Sequence, residues 1–243
     1  MMLRTLRLLF IFSPLLASAQ DKPTPHSLRI LTLGDPPPYR QEVRNGVRYE
    51  IPAADGTIPP RNLEVPALSE SGEPENLKLR LRLGIASDPL QFPLPENRSV
   101  ETRQPSGPWA KIPLSTSEAT LALIWRTGPD WNKVGVIHVP DGKADRSKGD
   151  CRFINVTAKP MGIVIGTEKL KLEPRTSIMR SLPAGTQETT VSILYPGADG
   201  TLQSCLSTTV TRSADKLQQY VIYAADGNKP RVPVKVLPLT ETR

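Results

Sequence analysis

Proline is spread along this chain at nearly regular intervals: 26 of its 243 residues are proline, recurring about every ten positions rather than in one tail. Proline has no backbone N–H to donate and holds φ near about −65°, so it ends helices and is tolerated in sheets only at edges, first residues and bulges. Long helices are therefore excluded, and short strands joined by loops are what remains. The hydrophobic residues, 38% of the total, are gathered into short runs, which suits packed sheets and argues against general disorder.

The clearest strand is Leu77-Lys78-Leu79-Arg80-Leu81-Arg82-Leu83. Successive strand side chains point to opposite faces, so one face is leucine and the other carries Lys78, Arg80 and Arg82 about 6.5 Å apart. Further strands are predicted over 28–33, 47–51, 62–65, 111–114, 120–125 and 134–139. Residues 142–150 are charged and small, with no apolar pair, and read as a linker. Seven segments follow, over 151–157, 161–172, 177–182, 189–195, 202–211, 218–224 and 232–237. That spacing of short strands and turns predicts an all-β fold of two immunoglobulin-like antiparallel β-sandwiches in tandem, 27–141 and 151–239. The two halves also share type-matched segments, 120–125 with 190–195 and 136–142 with 221–227, which leaves internal duplication open.

Residues 1–19 bear the marks of a signal peptide: Arg4 and Arg7, an apolar run over 8–16, and a small-residue site Ala17-Ser18-Ala19. The run is far shorter than the roughly twenty residues a bilayer requires, and Pro14 interrupts it. Cleavage after Ala19 is expected, giving a periplasmic or secreted protein that starts at Gln20 and has no stable membrane span. The formal charge of +7 includes Arg4 and Arg7, so +5 remains after cleavage. Export removes nucleic acid as a partner and leaves an anionic envelope polymer, a glycan or another exported protein; solubility is the plainer use of the charge. Cys151 and Cys205 are the only thiols, and an even pair in an exported chain permits one disulfide, with two core thiols as the alternative.

No motif predicts catalysis, a cofactor or a metal. Asp-Gly pairs at 55–56, 141–142, 199–200 and 226–227 bring no second carboxylate at calcium-loop spacing, and read as tight turns. His26 and His138 have no cysteine or carboxylate cluster at ligand spacing, and Ser213-Ala214-Asp215-Lys216 lacks the companion motifs of a serine acyl-enzyme. The candidate ligand surface is therefore non-catalytic: Trp109 and Trp131, which follow Gly-Pro turns and could stack on sugar rings, and the cations Lys78, Arg80 and Arg82. The plainer uses of these groups are plugging the ends of a sandwich and protecting a sheet edge.

The second half, with Arg152-Phe153-Ile154-Asn155-Val156-Thr157, a Leu182-Pro183-Ala184-Gly185 bend and a terminal Val221-Ile222-Tyr223, resembles uncharacterised immunoglobulin-like domains of secreted bacterial proteins. That resemblance implies no catalytic residues. Two exported sandwiches also look like periplasmic pilus chaperones, with 77–83 in the place of the donated strand, although the Leu-Pro-x-Asp-Arg-Glu-type motif of those chaperones is missing. The expectation is an exported, non-enzymatic binding or structural protein, with a carbohydrate-binding module using Trp109 and Trp131 as first alternative and a pilus-type chaperone as second.

Overall fold

A computed structural model describes residues 25–242 apart from 70, 148, 184, 186, 187 and 228. The expected signal peptide lies outside the described residues. The chain is all-β and sandwich-like. Its first half holds β1 (Pro25–Leu33), β2 (Gln41–Arg44), β3 (Val47–Glu50), β4 (Asn62–Leu68), β5 (Pro74–Arg80), β6 (Leu90–Pro93), β7 (Ser99–Gln104), β8 (Gly107–Pro113), β9 (Ala119–Arg126) and β10 (Val134–Pro140). A single helical turn, α1 (Lys143–Arg146), precedes the second half. That half holds β11 (Cys151–Asn155), β12 (Met161–Ile165), β13 (Glu168–Leu172), β14 (Ser177–Arg180), β15 (Glu188–Pro196), β16 (Leu202–Thr211), β17 (Lys216–Ala224) and β18 (Val234–Thr242).

The segment read as one strand over 161–172 is a hairpin, because Gly166 takes φ +58° and turns the chain between β12 and β13. Each half pairs an outer sheet, β5-β4-β7-β8 or β13-β12-β15-β16, with an inner one, β10-β9-β1-β6 or β18-β17-β11-β14. Without the β2–β3 hairpin the two halves match strand for strand. The first strand of each lies parallel to the penultimate one, β1 with β9 and β11 with β17, and the remaining pairings are antiparallel. Both halves even carry a bulge in the corresponding edge strand, at Trp109 of β8 and Cys205 of β16. The repetition is thus one of topology, and the segments that match by residue type are not counterparts: 120–125 lies on β9 and 190–195 on β15, whereas the partner of β9 is β17.

Side-chain alternation explains the layering. In β1, Leu28 and Ile30 enter a core shared with the outer sheet of the first half, while Leu31 and Leu33 face the other way. In β11, Phe153 enters the core of the second half and Ile154 faces away from it. The away-facing residues of both inner sheets meet in a third cluster that includes Leu31, Leu121, Leu123, Val139, Ile154 and Val221. The two inner sheets therefore pack back to back, apolar on both faces, as continuous rather than alternating hydrophobic runs require.

Charges close this interface at both ends. At one end Asp141, 4% exposed, accepts from Arg29 Nη2 at 2.6 Å, Arg146 Nη2 at 2.8 Å and Arg152 Nη1 at 3.1 Å. Arg29 also reaches Glu241 of β18 at 2.7 Å. At the other end the Asp35 N–H donates to Asp226 Oδ2 at 2.7 Å and the Asp226 N–H donates back to Asp35 Oδ2 at 3.2 Å. Arg126 and Lys235 neutralise that pair at 3.0 and 2.7 Å. Asp141-Gly142 is consequently not the tight turn its sequence suggested: Gly142 is extended at φ −64°, ψ 163°. Gly149 is held closely as well, since a Cβ there would lie 2.8 Å from the Arg180 carbonyl oxygen.

Burial alone would raise the Asp141 carboxyl, but the hydrogen bond from Arg146 and the charges of Arg29 and Arg146 outweigh it and hold the group below the ordinary carboxylate range. A depressed native pKa stabilises the fold above the unfolded value, and the benefit is lost as pH falls through the native one. Asp141→Ala is expected to cost about 3 kcal/mol in chemical denaturation at neutral pH, because three arginines lose their shared carboxylate. Asp141→Asn should flatten the acid limb of the stability profile. Gln219 is fully buried on the strand face that carries Val221, and neither amide atom has a hydrogen-bond partner among the described residues. Gln219→Met is expected to raise stability by about 1 kcal/mol in the same measurement.

Candidate functional site

The leucine and cation alternation holds through the strand that predicted it. Leu79 and Leu81 are 6% and 3% exposed in the first core, with Leu77 and Leu83 packed against it. Lys78, Arg80 and Arg82 all point outward. These leucines are occupied by their own sandwich, and the outward face of the strand is the cationic one.

The outer sheet of the first half opens beside this strand. β4 and β7 share a single registered pair, Glu64 with Arg103, and a groove of about 690 Å³ lies across β5, β4 and the end of β7. It is lined by Asn62, Glu64, Lys78, Arg80, Arg103 and Gln104 over a floor of Leu63 and Leu79. Register places Lys78 opposite Glu64 and Arg80 opposite Asn62, with Arg103 on the far side of Glu64. Three cations thus surround one acid, and polar amides alternate with them. The structure brings Lys78 and Arg80 together with Arg103 and Gln104, which single-strand alternation gave no means of finding because they arrive from β7. Arg82 lies past the end of β5 and outside the lining; its carbonyl accepts from Thr32 Oγ1 at 3.1 Å.

The two tryptophans do not form a ligand surface. Trp109 is inside β8 rather than beside a loop, and the bulge there, where Thr102 pairs with Ala110 and Arg103 with Pro108, leaves Trp109 as the extra residue. The bulge turns it inward beside Ala110, 7% exposed, and its indole N–H donates to the Trp131 carbonyl at 2.7 Å. Trp131 is 3% exposed in the same core. Neither ring presents an exposed face for stacking. Trp125 instead serves the contact between halves: it covers Gly135, and the Arg175 guanidinium stands 4.1 Å above its ring.

No disulfide joins Cys151 and Cys205. Cys151 lies in the inner sheet of the second half, whereas Cys205 is the bulged residue of edge strand β16, packed against the same core with its thiol donating to the Ile193 carbonyl at 3.3 Å. Burial pushes the Cys205 thiol up. His26 is buried against Thr120 Oγ1 at 2.9 Å, and desolvation, aided by the charge of Arg98, pulls its pKa down, so it is a neutral core group. No cluster of three metal-ligating side chains occurs among the described residues. No helix among them is long and apolar enough to cross a membrane.

A scan against models of known protein families gives no match, and a search among curated proteins finds no significant relative. Unfolding the protein in guanidinium without reductant is expected to expose two titratable thiols per chain; a count of zero would restore the disulfide.

Proposed function

We propose that this chain is an exported, non-enzymatic binding protein that holds an anionic polymer of the cell envelope in the groove formed across β5, β4 and β7. The observation that carries this reading is the convergence of Lys78, Arg80 and Arg103, all exposed, around one open groove with Glu64 in its lining, Arg103 standing also 3.8 Å from Glu101. Guanidinium and ammonium groups at strand spacing match repeated negative charges, and Asn62 and Gln104 supply neutral donors and acceptors for hydroxyls between them. The groove is open rather than enclosed, which suits a chain passing through rather than a small molecule held within. The leader at residues 1–19 supports the compartment.

The triple variant Lys78→Ala/Arg80→Ala/Arg103→Ala is expected to bind immobilised dextran sulfate about tenfold more weakly than the parent and with a shallower salt dependence. Arg82→Ala, outside the lining, should leave both nearly unchanged. Equal losses from Arg82 and from the lining residues would reduce the groove to general surface charge.

A further inference from the structure

The hairpin formed by β2 and β3 pairs with no other strand among the described residues. Its turn, Asn45-Gly46, has φ of +52° and +79°, the left-handed pair that a two-residue hairpin of the tightest kind requires. Beyond β3 the ladder continues, since the Ile51 N–H donates to the Arg40 carbonyl at 2.9 Å. Register puts Arg44 opposite Val47 and Glu42 opposite Tyr49, so Val47, Tyr49 and Ile51 lie on one face. They are 53%, 48% and 39% exposed. A lone two-stranded hairpin with an open apolar stripe is marginal by itself, and a free strand edge beside such a stripe is a template for another strand.

The charges on β3 say which strand. Within the hairpin, Glu42 and Arg44 neutralise each other on β2 at 2.5 Å. Arg48 and Glu50 make no ion pair among the described residues. They lie on the opposite face of β3 from Tyr49, two positions apart. In this register the peptide groups of Val47, Tyr49 and Ile51 point toward β2, and those of Arg48 and Glu50 point out at the open edge. A second β3 laid antiparallel about a two-fold axis at Tyr49 brings Arg48 opposite the Glu50 of the other copy. The same axis brings Glu50 opposite its Arg48 and Val47 opposite its Ile51. The outward peptide groups then fall into hydrogen-bonded pairs at the positions where the opposite charges meet. The strand is complementary to itself in backbone, charge and apolar contact at once.

We propose that the chain dimerises through the β3 edge, forming a continuous four-stranded sheet β2-β3-β3-β2 from two hairpins. The interface is isologous and closed, so it yields dimers rather than filaments. It lies on a hairpin separate from the groove, so a dimer presents two grooves to a polymer, and each proposal stands without the other.

Sedimentation velocity of the full chain over a range of concentrations tests it. The parent is expected to shift from monomer to dimer. Arg48→Glu and Glu50→Arg should each lower the association constant by about tenfold or more, since like charges then face each other twice across the axis. The double variant Arg48→Glu/Glu50→Arg should restore it. Arg48→Pro, which removes only an outward-facing N–H, should abolish the dimer while leaving the thermal midpoint unchanged, because the hairpin contributes nothing to the three cores. A parent that stays monomeric at all concentrations overturns the proposal. So does a double variant no better than either single one, which would place association elsewhere.

Discussion

Everything else in this molecule depends on two sheets that bury both of their faces. β1 and β9 in the first half and β11 and β17 in the second each present one set of side chains to their own outer sheet and the opposite set to each other. A single substitution in these strands is felt in two cores rather than one. Because the contact between halves is built from strand centres, the polar groups are displaced to its ends, where Asp141 and Asp226 gather the arginines. Those carboxylates do not compete with the apolar middle; they close it off and fix the lateral position of one sheet on the other.

That arrangement decides where binding can occur. The central strands of the inner sheets bury both faces, so open surface falls to the outer sheets, to sheet edges and ends, and to the one hairpin that belongs to neither. The groove lies across β4, β5 and the end of β7, where β4 and β7 share a single registered pair. Edge strand β5 supplies two of its cations, and the same cations guard that edge against strand addition, so the protective and the binding uses of Lys78 and Arg80 are compatible.

Much of the fold was legible because strand periodicity is short-ranged. Leu77 to Leu83 carried its own alternation, and the face assignment followed from residue identity alone. What escaped was whatever depended on a partner strand. Trp109 looked like a loop residue because Gly107 and Pro108 precede it, yet Pro108 is harmless in edge strand β8 and the bulge, visible only in the register with β7, turns the indole inward. The sequence left Cys151 and Cys205 open between a bridge and two core thiols, and the bulge at Cys205 is visible only in the register with β15. Asp141 read as a turn residue because Asp-Gly usually is one; the three arginines that claim it come from β1, α1 and β11, which no local window contains. Arg103 and Gln104 likewise enter the groove from β7. Short strands such as β6 and β7, lacking apolar alternation, were missed altogether.

The parallel pairing of the first strand of each half with its penultimate strand has a kinetic consequence. Ser27 meets Ala119, and Cys151 meets Gln218, so neither inner sheet can close until nearly all of its half is available. The outer-sheet hairpins form from local contacts, while the two most apolar strands wait with both faces open. Loop-closure entropy of that size places such a topology among slow-folding domains, in the millisecond-to-second range or beyond. Such a topology favours assembly from the periphery inward: hairpins first, the two inner sheets next, and last their back-to-back contact with its arginine-bound ends.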